Sequence, residues 1–382
     1  MKKKTNSSAT AVAKLRRKPA GRRRRASRLA RIVSVASWTA VLALWGCAAS
    51  VYLNPAWCRF FGVIGLTFPF FLAADVAMFL VSLLLAPRRA WIPLVGLAGC
   101  ILTVRSYMPF NLPSPAPRGS MKVLTYNVMN FGGHKADSAG RNLVCRYITE
   151  SGADVVCLQE ATADSCFIRE QLTHAAGSRT PYYDTVRIGL NVVSCLSAYP
   201  IVGKELICRG ESNGAAAFRL LLAESDTLIV VNCHLESMHL SAEERGTYRD
   251  MVHKPEETDV KAGSRLLISK ISTASVERAR QADLVARYIR RYEGENLIVC
   301  GDFNDTPVSY TYRVIQGDLT DAYRATGNGL GRSFNRDAIV VRIDNIFCSD
   351  HWRPFSCKVD AIITASDHYP VSCRLKRVER DD

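Results

Sequence analysis

Eight polar residues of the 382-residue chain stand where chemistry could be done. Asn127, Glu160, His234, Asp302 and Asn304 each close a short apolar run, and Asp344, Asp367 and His368 each stand at or near the start of one. Burying an unpaired carboxylate or imidazole inside a strand is costly, so polar groups collect at strand ends. If the later runs are strands antiparallel to the earlier ones, all eight side chains emerge at one edge of the sheets. The set is four carboxylates, two amides and two imidazoles, with no thiolate cluster. Hard oxygen donors favour Mg²⁺ or Mn²⁺ over softer ions. An imidazole oriented by a carboxylate can activate water or stabilise building charge. Together these groups suit in-line hydrolysis of a phosphoester.

The elements that must carry these groups are short, β-branched runs: MKVLTYNV, ADVVCLQE, LIVVNCHLE, NLIVCGDFN, RIDNIFCS and HYPVSCRL. Helical stretches lie between several of them. In the clearest, residues 276–291, Ala282, Val285 and Ile289 share one face, with Leu284 and Tyr288 beside it. Alternating strands and helices over residues 121–382 indicate an α/β domain with buried sheets. No internal repeat is visible.

The segments LTYNVMNF, CLQE, NCHLES, GDFNDTP, RIDNIF and SDHYPV resemble, in order and spacing, the endonuclease/exonuclease/phosphatase superfamily of metal-dependent phosphoesterases. The likeness covers about residues 121–376. It implies a four-layer sandwich, two packed mixed β-sheets flanked by helices. It further implies Glu160 as main metal ligand, with Asn127 supporting metal and phosphate. His234 would contact the scissile phosphate or serve as the acid, and Asp302 and Asn304 would orient nucleophile and phosphate. Asp344 would align His368, and Asp367 would be a metal ligand or the partner of one. Some members carry an acid where this chain has Met129, which removes a second ligand from the first strand. The tryptophan-containing signatures of inositol polyphosphate 5-phosphatases are absent, so that activity is not expected.

Other features have plainer readings. GESNG at 210–214 matches a nucleophile elbow, but residues 215–236 read as two strands and not the helix that motif needs. Residues 238–275, with Arg245, Arg249, Lys254, Lys261, Arg265 and Lys270, read as a solvated surface insertion rather than a lid. Arg278 and Arg280 read as surface charges. His134, His174, His239, His253 and His351 sit at no telling spacing and are assigned no role.

The formal charge of +15 suggests nucleic acid until the chain is divided. Residues 1–31 hold 13 Lys/Arg and no acid, and residues 32–120 add five Lys/Arg and only Asp75. From Met121 onward 32 basic residues face 34 acidic ones, a net of −2. A catalytic domain so balanced lacks the positive excess of a nucleic-acid binder, and a smaller phosphodiester or monoester, including a lipid headgroup, is the favoured substrate. A metal-dependent nuclease is the alternative, and a non-catalytic scaffold the alternative from another class.

Residues 1–31 read as a basic cytoplasmic tail, 32–110 as a membrane region, 111–120 as a stiff Pro-rich linker and 121–382 as the catalytic domain. Apolar runs at 32–53, 60–86 and 90–104, the last extended to Phe110, suggest three transmembrane helices. The positive-inside rule then places the catalytic domain on the non-cytoplasmic side of an inner or plasma membrane. Thirteen cysteines without a CxxC pair read as small core residues and fit a reducing compartment, which pulls the other way.

Overall fold

A computed structural model describes residues 20–175, 177–253, 260–336 and 339–378. Most of the basic tail, Lys254 and the side chain of His253 lie outside them. The chain divides into two compact units, one of residues 1–46 and 69–100, the other of residues 47–68 and 101–382.

The first unit is helical. Among the described residues two helices, Arg28–Tyr52 and Phe61–Leu85, are long and apolar enough to cross a membrane, and Pro87–Gly99 with Ile101–Tyr107 forms a third candidate bent by 63°. Ser37 and Ser82 pair inside this unit, and the Trp45 indole donates to the Gly96 carbonyl. Asp75 is fully buried there.

Among its described residues the second unit holds fourteen strands: β1 (Met121–Asn127), β2 (Val155–Gln159), β3 (Tyr182–Ile188), β4 (Asn191–Ser197), β5 (Ile201–Arg209), β6 (Gly214–Ala223), β7 (Asp226–His234), β8 (Leu297–Asp302), β9 (Thr320–Asp321), β10 (Phe334–Arg336), β11 (Ile339–Val341), β12 (Asp344–Cys348), β13 (Trp352–Val359) and β14 (Val371–Arg377). They form two mixed six-stranded sheets, ordered β13-β14-β1-β2-β4-β3 and β5-β6-β7-β8-β12-β9, with β10 and β11 a separate ribbon.

Strand alternation builds the layers. In β1, Val123 faces the second sheet while Leu124 and Tyr126 pack on the outer helix Leu143–Ser151. In β8, Ile298 and Cys300 face the first sheet, while Leu297 and Val299 meet Ala282, Val285 and Tyr288 of the helix Val260–Arg291. Because both faces of the central strands are buried, they read in sequence as continuous apolar runs. The result is helix, sheet, sheet, helix. Eleven of the thirteen cysteines are buried, Cys58 and Cys166 being the exceptions, and all are free thiols.

A polar bridge pins the two sheets beneath one edge. The Asn232 amide on β7 donates to the carbonyls of Leu158 (3.0 Å) and Ser194 (2.9 Å) on the other sheet, and accepts from Gln159 at 2.7 Å. The helix Val260–Arg291 starts sixteen residues before the face legible in the sequence, and absorbs part of the expected insertion.

Residues 47–68 pack within this second unit. The Asn54 amide donates to the Tyr310 hydroxyl at 3.0 Å, and Tyr310 donates to Asp283 at 2.8 Å. A Cβ on Gly65 would sit 1.9 Å from the Val308 carbonyl oxygen, so only glycine allows this approach.

Candidate active site

Register brings the eight residues together. Asn127 ends β1 beside Gln159 of parallel β2, and Glu160 follows directly. His234 ends β7 opposite Asp302, the last residue of parallel β8, and Asp302 faces Asp344, the first residue of antiparallel β12. Asp367 and His368 precede β14, antiparallel to β1. The antiparallel return expected from sequence therefore places all eight at one edge. Seven of them, all but Asp344, line a cavity of about 290 Å³, and Asp344 lies behind His368.

Local backbone aims them. Glu160 (φ 52°) and Asn304 (φ 50°) are left-handed, as are Met129, Asn130 and Phe131 after Asn127. Such angles are uncommon for non-glycine residues and gather where a site dictates the chain's path. Gly301 (φ 129°) precedes Asp302, where a Cβ would meet the Cys233 carbonyl oxygen at 2.0 Å. Glycine lets β8 press against β7 at the point where both deliver a polar side chain.

Contacts divide the site in two. On one side the Asn127 amide lies 3.3 Å from Glu160 and 3.2 Å from Asp302, bridging two carboxylates from different sheets. On the other, His368 Nδ1 bonds Asp344 at 2.9 Å, while its Nε2 lies 3.6 Å from Asp302. The Asp302 carboxylate is steadied by the Asn304 backbone N–H at 2.8 Å, and the Asn304 amide donates to the Leu235 carbonyl. Asp302, Asp344 and His368 bring ligand atoms within 4.8 Å of one another.

Electrostatics separate the two imidazoles. Burial pushes His368 down, but Asp344 and Asp302 overcome it and raise its pKa to about 10, so the ring is charged at neutral pH. Burial dominates at His234 and lowers its pKa to about 4 despite Asp302. Its Nε2 lies 3.2 Å from the Asn213 amide nitrogen, which suits a neutral ring accepting that bond. Burial also raises the carboxyls of Glu160 and Asp302, against the pull of Asn127 on the first and of His368 on the second.

These groups fit a hard cation. Glu160, Asp302, Asp344 and Asp367 bring four carboxylates against Arg245, Arg336 and charged His368, and the Glu160 and Asp302 oxygens converge on the Asn127 amide. His368 is engaged with Asp344, so the oxygens of Glu160, Asp302 and Asn127 are the ones able to hold an ion. Two or three oxygen donors suffice for a largely hydrated Mg²⁺.

Residues 124–368 match the family model described as the endonuclease/exonuclease/phosphatase family. The chain belongs to that family. Residues 30–107 match the model of a domain of unknown function, DUF8431. No curated protein matches the chain. Among solved structures, an endonuclease/exonuclease/phosphatase from Bacteroides vulgatus is 19% identical, covering 68% of this chain and 100% of that chain at a TM-score of 0.45. The catalytic domain of human nocturnin with bound sulfate is 16% identical, with 69% and 97% covered and a TM-score of 0.44. Sphingomyelinase C from Streptomyces griseocarneus is 20% identical, with 68% and 99% covered and a TM-score of 0.42. Members of this family are usually hydrolytic phosphoesterases that use divalent metals.

Several sequence readings change. Arg278 is no surface charge: it is 3% exposed, pairs with Asp305 at 3.3 Å and donates to the Glu236 carbonyl. Arg280 is exposed, as expected. The segment after Ser237 is not simply solvated, because Met238, His239, Leu240, Arg245 and Tyr248 line the cavity. GESNG forms the β5–β6 connection with no helix after it, and its Asn213 reaches His234. Asp367 lies in the cavity but bonds Arg336 at 2.8 Å, which makes it less available to a metal than Glu160. Sequence reasoning missed Arg336, Asn213 and His239. Arg336 lies on a ribbon with no motif, and Asn213 was hidden in a motif suited to another chemistry.

Proposed function

We propose that this protein is a divalent-metal-dependent phosphoester hydrolase anchored in a membrane. The observation that carries the reading is the placing of Asn127, Glu160, His234, Asp302, Asn304, Asp367 and His368 on one cavity, where the Glu160 and Asp302 carboxylates meet across the Asn127 amide. Glu160 and Asn127, with Asp302 beside them, would hold Mg²⁺ or Mn²⁺, which supplies charge compensation to a phosphate oxygen.

The chain's own groups do the rest. Asp302 faces the cavity between the two imidazoles, 3.6 Å from His368 Nε2 and 3.8 Å from His234 Nε2. It is the group positioned to orient a water and take its proton. His368, held charged and aimed by Asp344, offers its Nε2 proton to a phosphate oxygen as charge builds there. Asn304 positions Asp302 and the phosphate. His234 is neutral, so this reading gives it phosphate contact and leaves the acid role expected from resemblance to another group. Environments that drive two like groups apart assign them different tasks.

The near-neutral charge from Met121 onward favours a small phosphoester or lipid headgroup over a nucleic-acid polymer. Membrane anchoring is supported by the two long apolar helices. The loop between them exposes Trp57 and Phe60 around Arg59, a composition suited to a membrane interface. That loop belongs to the same compact unit as the catalytic domain, bonded through Asn54 and Tyr310. Loop and domain therefore share a membrane face, and the chain between them must cross an even number of times. With the bent pair Pro87–Gly99 and Ile101–Tyr107 taken as a third crossing, the proposed topology has the N terminus and the catalytic domain on opposite membrane faces.

The test uses the full chain in detergent. Hydrolysis of bis(p-nitrophenyl) phosphate is expected with Mg²⁺ or Mn²⁺ and lost with EDTA. Metal-independent turnover, or undiminished turnover by His368→Ala, would overturn the proposal.

A further inference from the structure

The cavity has a second wall that the phosphate chemistry does not use. It is built by residues 237–253, and its form follows from local sequence. Ser241 and Glu244 make a reciprocal cap: Ser241 N–H donates to the Glu244 carboxylate at 2.7 Å, and Glu244 N–H donates to Ser241 Oγ at 3.1 Å. This starts the helix Ala242–His253. Lys270, from the neighbouring long helix, pairs with Glu244 at 3.1 Å and donates to the His239 carbonyl at 3.4 Å. His239 in turn pairs with Glu236, whose backbone N–H donates to buried Gln281 at 2.8 Å. The helix is therefore fastened to the catalytic scaffold at both its cap and the strand exit that precedes it.

One turn apart on this fastened helix, Arg245 and Tyr248 line the same cavity as Glu160, Asp302 and His368. Among the described residues, neither the Arg245 guanidinium nor the Tyr248 hydroxyl has a hydrogen-bond or ion-pair partner, although neighbouring Glu244 and Lys270 are engaged. Burial pushes the Tyr248 phenol up, so it remains a donor at neutral pH. Among the described residues, every carboxylate that lines this cavity lies on the strand-end side. An idle guanidinium with a phenol donor beside it, facing that side, is a receptor for a further oxyanion.

We propose that Arg245 and Tyr248 bind a second phosphoryl group of the substrate, beyond the one that is cleaved. The substrate class is then a phosphoester bearing an additional phosphate, whether on a soluble metabolite or on a lipid headgroup. This rests on the hydrolase reading for the place of the scissile phosphate, but the test is a binding measurement that needs no turnover.

With the full chain in detergent and Ca²⁺ present, calorimetry would compare thymidine 3′,5′-bisphosphate with thymidine 5′-phosphate. Calorimetry would likewise compare water-soluble dibutanoyl phosphatidylinositol 4-phosphate with dibutanoyl phosphatidylinositol. The wild type should prefer the two-phosphate member of at least one pair, and which pair responds identifies the source. Losing a charge-assisted contact is expected to weaken binding by about 10- to 100-fold. Arg245→Ala should therefore erase the preference while leaving affinity for the one-phosphate member unchanged. Arg245→Lys should restore part of it, which a purely structural arginine would not show, and Tyr248→Phe should reduce it less than Arg245→Ala. No preference in either pair, or a preference that survives Arg245→Ala, would overturn the proposal. Failure of hydrolysis with this preference intact would count against the hydrolase reading alone.

Discussion

Replacing Asp344 by asparagine should neutralise His368 with almost no change of shape. Asp344 is 1% exposed and bonds His368 Nδ1 at 2.9 Å. The imidazole pKa of about 10, against an ordinary 6.5, corresponds at 1.36 kcal/mol per unit to about 5 kcal/mol in favour of the charged ring. Burial opposes that preference, and of the groups that raise the pKa Asp344 acts most strongly, ahead of Asp302. Without its charge the balance tips to burial, and the ring should be neutral at pH 7. Because the folded pKa is raised, the stabilisation is complete below the unfolded value near 6.5 and is lost as pH climbs through about 10. Asp344→Asn in metal-free protein should thus cost about 3–5 kcal/mol near pH 6, as expected for one partner of a buried pair. The difference from wild type should shrink toward zero by about pH 10. Urea titrations of the chelator-treated chain between these limits would measure it. The same variant should lose about 10²- to 10⁴-fold in kcat with its metal restored. A stability difference that does not change with pH would refute the reasoning.

Glu160→Gln should remove metal-linked stabilisation. At a free Mg²⁺ concentration of 100 Kd the wild type gains about 2.7 kcal/mol, read as a rise in Tm, and the variant should show little of it. Arg278→Ala should destabilise by about 3–5 kcal/mol, because Asp305, 7% exposed, is left buried without its partner; thermal unfolding checks it. Asn232→Leu should cost about 1–3 kcal/mol, since the Leu158 and Ser194 carbonyls lose the donor that ties the two sheets, measured in the same way. Reporter fusions should place the C terminus and the loop at Trp57 on one membrane face and the N terminus on the other. A C terminus on the side of the tail would overturn the three-crossing topology.

Asn127, Glu160, His234, Asp302, Asn304, Asp344, Asp367 and His368 were legible in the sequence because each interrupts or bounds an apolar run, and a buried strand tolerates such a group only at its end. The four layers were legible from runs apolar on both faces, as in β1 and β8. Arg278 was misread because an arginine's identity says nothing of its partner, and Asp305 lies 27 residues away. Arg245 and Tyr248 looked like part of a polar insertion, since a helix spacing fixes which residues share a face but not what that face meets.

The sequence alone determined which residue types stand at which strand ends, and hence the chemistry available to the chain. Only the tertiary structure decided how the two imidazoles differ. Each stands at the end or the approach of a strand and the two are identical as letters, yet His368 is charged against Asp344 and His234 is kept neutral by burial. Protonation depends on distances to charges and to water, and those exist only once β8 and β12 have paired and the two sheets have closed.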